Sequence, residues 1–342
     1  MKLEKEIFMP RDITYYDAIE FSLRLNRIDV NKFKGRVIIN IHHFCMNRGK
    51  VEPFASLIII NSIRAFSEKA RNKGIDVKFK LPKESLIKNT YARSIRFYSS
   101  LGLPIGAPPD HDYRGDSPTF IPIMKVNIAA LKNSVDEHRD IKYIAEHVAV
   151  TAASKNKELL HYLNYCLIEI LRNVDEHSES KYIWYAAHWH SEKGRNSIEI
   201  ALMDEGIGIQ ESLKHELEDE DEKLKFALIP GCSSRPSIHY IGDNAQNAGF
   251  GLYMTSEIGK VNGDFIIASN DESLMIKQDV QDTKSCAIRG TIIRLRLEID
   301  KLKDYEMQRA ELVEKGLERA KQYLAYAEKK KFAPGLPLQK LF

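Results

Sequence analysis

The sequence predicts an α+β protein. An α/β sandwich, with a mixed or antiparallel sheet covered by helices, is preceded by a small β/α domain and followed by a C-terminal helix. Three observations carry this reading. β-branched runs alternate with amphipathic helical patterns over residues 10–105. A long helical pattern in the second half is followed by two adjacent strand patterns, and the last helix carries an apolar stripe at 4-3-4-3 spacing. A length of 342 residues fits about two domains. The boundaries fall at 1–105 for the β/α domain, 106–118 for a linker, 119–298 for the sandwich, and 299–342 for the C-terminal helix and tail.

Composition excludes several classes. Hydrophobic content of 43% beside 29% charged residues fits a soluble globular chain and argues against collagenous, disordered or membrane-spanning ones. Lys and Arg number 51 against 48 Asp and Glu, so no strong field points to nucleic acid or an anionic membrane. The four cysteines, Cys45, Cys166, Cys232 and Cys286, form no C-x-x-C pair and suit a reducing compartment. The opening MKLEKEIFMP lacks an apolar signal region, and the expected location is cytoplasmic.

The elements follow in order. Gly35–Ile41 (GRVIINI) is a strand, Pro53 opens a helix that Gly74 stops, and Val77–Leu81 is a second strand. Tyr91–Leu101 reads as an amphipathic helix ended by Gly102 and Pro104. Pro108, Pro109, Asp110, Gly115, Asp116 and Ser117 mark the linker. After the apolar Phe120–Val126 come helices at Asp136–Ala152 and Lys155–Glu176. Lys181–His190 and Ser197–Met203 form a hairpin across Glu192–Asn196. An irregular region runs to about Asn247; its acidic cluster, Glu216–Glu222, and small-residue stretch, Gly231–Ser237, read as mobile surface segments, and loops this long are usually functional or disordered. Strands return at Asp264–Ser269 and Gly290–Leu297. A helix over Lys301–Lys331 then presents Val313, Leu317, Ala320, Leu324 and Ala327 along one side. That stripe can pack on its own domain or serve as the seam of a homodimer.

Four motifs carry chemistry. In CLIEILRNVDEHS, Glu169, Asn173 and His177 recur at four-residue spacing and share one helix face. In ALMDEGIGI, Asp204 precedes Gly206 and Gly208, where backbone can approach a flat ligand. In NAGFGLYMTSEIG, Gly249, Phe250, Gly251 and Leu252 open a helix whose free amides suit a phosphate. Gly290 and Thr291 lead into the final strand.

Together and in this order, the motifs resemble the GHKL, or Bergerat-fold, ATP-binding domain of gyrase, MutL, histidine kinases and the large heat-shock chaperones. The resemblance spans about residues 140–298, and Gly263 also falls in place. It implies that ATP and Mg²⁺ bind here. Asn173 would be the magnesium ligand, Glu169 would activate the attacking water or hydroxyl, and Asp204 would accept from the adenine amine with Thr291 beside it. The glycines of the third motif would let lid amides reach the phosphates. His177 would lie near a phosphate or simply cap its helix, and Arg235 in GCSSR could reach the γ-phosphate from the lid. The N-terminal β/α unit resembles the STAS-type domain of anti-sigma-factor antagonists. It departs from that pattern where the acceptor Asp-Ser pair is expected: the stretch reads VEPFAS, with Ser56 the nearest hydroxyl.

Three functions are compatible with this reading. The first is a slow ATPase acting as an ATP-gated conformational switch, coupled to a protein partner through the N-terminal domain or the lid. The second is a serine/threonine protein kinase of the anti-sigma type, and the third a non-hydrolysing nucleotide sensor or scaffold. A histidine kinase is disfavoured, because His138 and His147 lack the flanking pattern of a phosphoacceptor helix.

Overall fold

A computed structural model describes residues 3–111, 117, 119–129, 141–153, 156–192, 195–214, 222–232 and 250–332. The chain runs through β1 (Leu3–Phe8), α1 (Tyr15–Asn26), β2 (Gly35–Asn40), α2 (His42–Cys45), α3 (Pro53–Arg71) and β3 (Asp76–Lys80). Next come α4 (Thr90–Ser94), α5 (Phe97–Ser100), β4 (Phe120–Asn127), α6 (Ile141–Ala153), α7 (Lys157–His177), β5 (Tyr182–Glu192) and β6 (Arg195–Asp204). They are followed by α8 (Ile209–Ser212), α9 (Lys223–Ala227), α10 (Gly251–Asn262), β7 (Gly263–Ser269), β8 (Glu272–Lys277), β9 (Val280–Ser285), β10 (Thr291–Glu298) and α11 (Tyr305–Phe332).

Two sheets result. β1, β2 and β3 form a parallel sheet in sequential order. Among the described residues, β4-β5-β6-β10-β7-β8-β9 form a second sheet in which each neighbouring pair is antiparallel.

The larger sheet is apolar on both faces, as period-2 alternation allows. Trp184, Ala186, Ala201, Met203, Ile266, Ala268 and Ile292 join a core with β2 and α3. The intervening Ile183, Tyr185, Ala187, Ile200, Leu202, Ile267 and Ile293 join the opposite core with α6, α7 and α10. The layers are therefore small sheet, α1 with α3, large sheet, then α6, α7 and α10 with α11 outside. The N-terminal unit and the large sheet share one continuous core.

This arrangement explains the composition of α3. From Pro53 through Ile63 every side chain is buried, including Ser56, Asn61 and Ser62, because the helix is covered on both sides. Ser56 donates to the Glu52 carbonyl and offers no accessible hydroxyl. At the N-terminus of α3, the wholly buried Glu199 of β6 accepts the Phe54 N–H at 3.1 Å, which satisfies an orphan amide and complements the helix dipole. Arg296 Nη2 donates to the same carboxylate at 2.5 Å.

Several boundaries differ from the sequence expectation. The helix expected over Tyr91–Leu101 is split into α4 and α5 by Arg96, which sits in the left-handed region at φ 63°. Its guanidinium donates to the His111 carbonyl at 2.6 Å. The strands β1, β8 and β9, which complete the two sheets, and the helix α1 lie beyond what the patterns mark. On α11, Tyr305, Gln308, Leu312 and Ala320 are buried, and Val313 and Leu317 pack beside them, whereas Leu324 is exposed. Most of the stripe thus rests on this chain. No helix among the described residues is long and apolar enough to cross a membrane.

Truncation at the centre of α3 tests the layering. Ile58→Ala should lower unfolding stability by about 2–5 kcal/mol in urea titration, the cost of an unfilled core cavity. A loss below about 1 kcal/mol would show that α3 is not enclosed.

Candidate nucleotide site

α7 supplies the first motif. Asn156 caps it by accepting the Leu159 N–H at 2.9 Å, and its apolar face of Leu163, Leu167, Ile170, Leu171 and Val174 lies in the core. Glu169 is 6% exposed, unlike an ordinary solvated helix face, and its Oε1 accepts from Arg172 at 3.1 Å. Burial raises its pKa; Arg172 lowers it, and Glu176 raises it further. Asn173 is half-buried and makes no side-chain hydrogen bond to the described residues. His177 lies 3.9 Å from Glu176 in the last turn.

The second motif sits at the end of β6. Asp204 is 3% exposed and accepts the Gly206 N–H at 2.8 Å. Burial raises its pKa to about 7 against the lowering effect of backbone N–H groups from Gly206 and Thr291. Pairing of Met203 with Ile292 brings Gly290 and Thr291 beside it. A Cβ on Gly290, at φ +78°, would come within 2.4 Å of the Asp204 carbonyl and 2.6 Å of its carboxylate.

The end of α7 then docks on this loop. Ile207 N–H donates to the Ser178 carbonyl at 2.9 Å, and a Cβ on Gly206 would fall 1.9 Å from the same oxygen. Gly208 faces Asn270 equally closely, at 2.1 Å. Ser178, Ser269 and Asn270 belong to this cradle without any signal in the sequence. Ser269 Oγ accepts the Ile209 N–H at 2.9 Å, and Asn270 Nδ2 donates to the Ile207 carbonyl at 3.0 Å. Only their contacts reveal them, since isolated Ser and Asn carry no pattern.

The third motif closes the group. Gly251 opens α10, whose first-turn amides have no intrahelical acceptor. A Cβ there would sit 2.2 Å from Glu169 Oε2, so the buried carboxylate lies against that helix start. Leu252 and Ile209 each pack against the small apolar cluster of Leu213, Phe226 and Ala227. Gly316 of α11 lets the C-terminal helix settle on Phe250 and Tyr253, with an added Cβ only 2.7 and 2.6 Å from their rings. Gly249, Arg235, His138 and most of the acidic cluster Glu216–Glu222 lie outside the described residues.

The N-terminal unit reaches the floor of this site. Asn61 of α3 accepts the Arg289 N–H at 3.0 Å and donates to the Arg289 carbonyl at 2.8 Å. Arg64 grips Glu205 through two hydrogen bonds of 2.8 and 3.3 Å, and Arg289 adds another at 3.2 Å. Glu205 is the residue next to Asp204.

Among the described residues, no group of three or more His, Cys, Asp or Glu side chains could hold a metal. A divalent cation here would need oxygens from its ligand, with Asn173 as an amide donor, and the open amide of that residue fits such a role. No protein-family model, curated protein or solved structure matches the chain.

The close contact at Gly206 gives a test with an internal control. Gly206→Ala should abolish ligand binding at this site and cost about 2 kcal/mol or more, because the methyl meets a fixed carbonyl. Gly74→Ala, at φ +70° with open space around it, should cost about 1 kcal/mol in the same thermal-melt series and leave binding intact.

Proposed function

We propose that this chain binds Mg·ATP in a GHKL-like site and hydrolyses it slowly, acting as an ATP-gated switch. The observation that carries the reading is the contact of Glu169 with Gly251 at the start of α10. A phosphate bound at that helix terminus would lie beside a buried carboxylate.

In this reading Asp204 accepts from the adenine amine, on the sheet face that also carries α7 and α10. Thr291 holds its backbone N–H toward the same carboxylate. Bound Mg²⁺ would neutralise charge on the phosphates, with Asn173 as its protein ligand. Glu169 orients the attacking water and takes its proton; burial supports this by raising the carboxyl's proton affinity. Arg172 keeps the side chain placed and balances its charge. The α3 contacts to Arg289 and Glu205 supply the mechanical link by which occupancy of the site would be felt in the N-terminal unit.

The kinase alternative gains nothing from the N-terminal unit itself, because Ser56 is enclosed. Transfer to a separate protein would use the same nucleotide residues, so the fate of the phosphate separates the readings. With γ-labelled ATP and Mg²⁺, label should appear as free phosphate and be lost in Glu169→Ala while nucleotide binding persists. Label on protein would replace the ATPase reading with a kinase, and absence of nucleotide binding by the folded chain would end both.

Protonation of Asp204 gives a second test. Its folded pKa is raised above the unfolded value of 3.8 to about 7. The folded state therefore holds this proton more tightly, and the group's contribution to stability is greatest at low pH. That contribution is lost as pH rises from the unfolded value through about 7. The ionised carboxylate is the better acceptor, so ATP affinity should rise between about pH 6 and 8 at fixed Mg²⁺. Asp204→Asn should bind about tenfold or more weakly and show a flat profile by calorimetry; an unchanged slope would remove Asp204 from base recognition.

A further inference from the structure

A second polar cleft lies between the N-terminal unit and the edge of the large sheet, away from the nucleotide motifs. It has a volume of about 550 Å³ and is bounded by Arg48, Lys50, Lys88, Asn89, His188 and Arg296, among others. The size falls within the roughly 300–1,000 Å³ of small-molecule pockets. The loop before α3, the segment leading into α4, and the strands β5, β6 and β10 converge there.

Its polar groups are short of acceptors. Asn89 is 2% exposed, and its Oδ1 accepts the Ala92 N–H at 3.1 Å, which fixes the orientation of the amide. The Nδ2 on the other side is buried without a partner among the described residues. Arg296 uses Nη2 on Glu199 while its buried Nε also lacks a partner there, as does His188 Nδ1. Buried polar atoms without a partner are uncommon in native proteins and call for a ligand or water to complete them.

The charge points the same way. Arg48, Lys50 and Lys88 stand exposed at the rim, and Arg296 lies deeper. The opposing carboxylates are already engaged: Glu199 with Arg296 and the Phe54 amide, and Glu52 with the Tyr15 amide at 3.2 Å and Arg294 at 3.8 Å. His190 sits 3.6 Å from Glu199. His188 is held neutral, its pKa lowered to about 4 by burial and by His190. An apolar wall is present too, because the Tyr91 ring packs on His188 with centroids 5.1 Å apart.

We infer that this cleft binds a small phosphate-bearing molecule. The oxyanion would complete Asn89 Nδ2 and Arg296 Nε and draw on the basic rim, and any organic part would lie along Tyr91 and His188. A bare phosphate would leave much of the volume unfilled, which favours an organic phosphate. The inference does not depend on the ATP reading: Glu199 and Arg296 face α3, whereas Asp204 lies on the opposite sheet face.

The test is calorimetric titration of the full chain, without nucleotide, with inorganic phosphate and separately with ribose 5-phosphate at constant ionic strength. Saturable binding of either is expected. Tighter binding of the sugar phosphate would assign the organic ligand, and equal affinity the free anion. Asn89→Asp keeps the oxygen that caps Ala92 but replaces the donor with a negative oxygen, so affinity should fall about tenfold or more. Lys88→Ala, on an exposed side chain, should weaken binding a few-fold without affecting the fold. Failure of both probes to bind wild type, or the same affinity in Asn89→Asp, would overturn the assignment.

Discussion

The enclosure of α3 between two sheets sets the terms for the rest of the molecule. A helix covered on both sides must be apolar nearly all round, and the few polar groups it carries must find partners in the layers above and below. Asn61 meets that demand by pairing with both backbone groups of Arg289, and the first-turn amide of Phe54 meets it through Glu199. The large sheet is constrained in turn, since a strand buried on both faces cannot show the simple alternation of apolar and polar residues. Small residues such as Ala186 and Ala201 on the α3 side let the helix approach, while bulkier Tyr185, Ile200 and Leu202 fill the opposite core.

This packing also bears on the candidate site, because α3 holds the residue beside its most perturbed acid. Glu205 is buried, which raises its pKa, but the hydrogen bond and charge of Arg64, together with Arg289 and Trp184, bring it below its usual value. A charged Glu205 next to Asp204 is one of the influences that raise the Asp204 pKa, after burial. Arg64 therefore acts on Asp204 indirectly. It fixes a neighbouring negative charge, and that charge sets how readily Asp204 ionises.

The sequence makes some of this architecture legible and hides the rest for physical reasons. α7 and the β5–β6 hairpin follow strong periodicities, and their boundaries lie within a few residues of expectation. The motif glycines are visible because glycine at a close contact has no substitute: a Cβ at Gly206 or Gly290 meets fixed atoms. β9 is hidden because Val280–Ser285 is largely polar and exposed, an edge strand made by pairing with β8 rather than by its own composition. The break at Arg96 is hidden because a left-handed arginine depends on a distant carbonyl at His111. The sharing of one core by both halves is also beyond reach of pattern reading. The apolar run Leu57-Ile58-Ile59-Ile60 would suit a helix at the centre of an independent domain equally well.

The two polar sites stand in a definite relation. Glu199 and Asp204 lie on the same strand, about 16 Å apart at extended spacing, and alternation sends their side chains to opposite faces. β6 is bonded on both sides, to β5 and β10, so displacement along it would disturb two ladders at once and is the stiffer route between the sites. Side-chain contacts from α3 are softer: Arg64 remains one-third exposed where it meets Glu205, and that pair can reorganise without breaking backbone hydrogen bonds. A shift of α3, gripped at its N-terminus by Glu199 and held near its middle through the bonds of Asn61 to Arg289, would thus register at the Asp204 loop first as a change in charge and orientation. The sheet itself would stay in place.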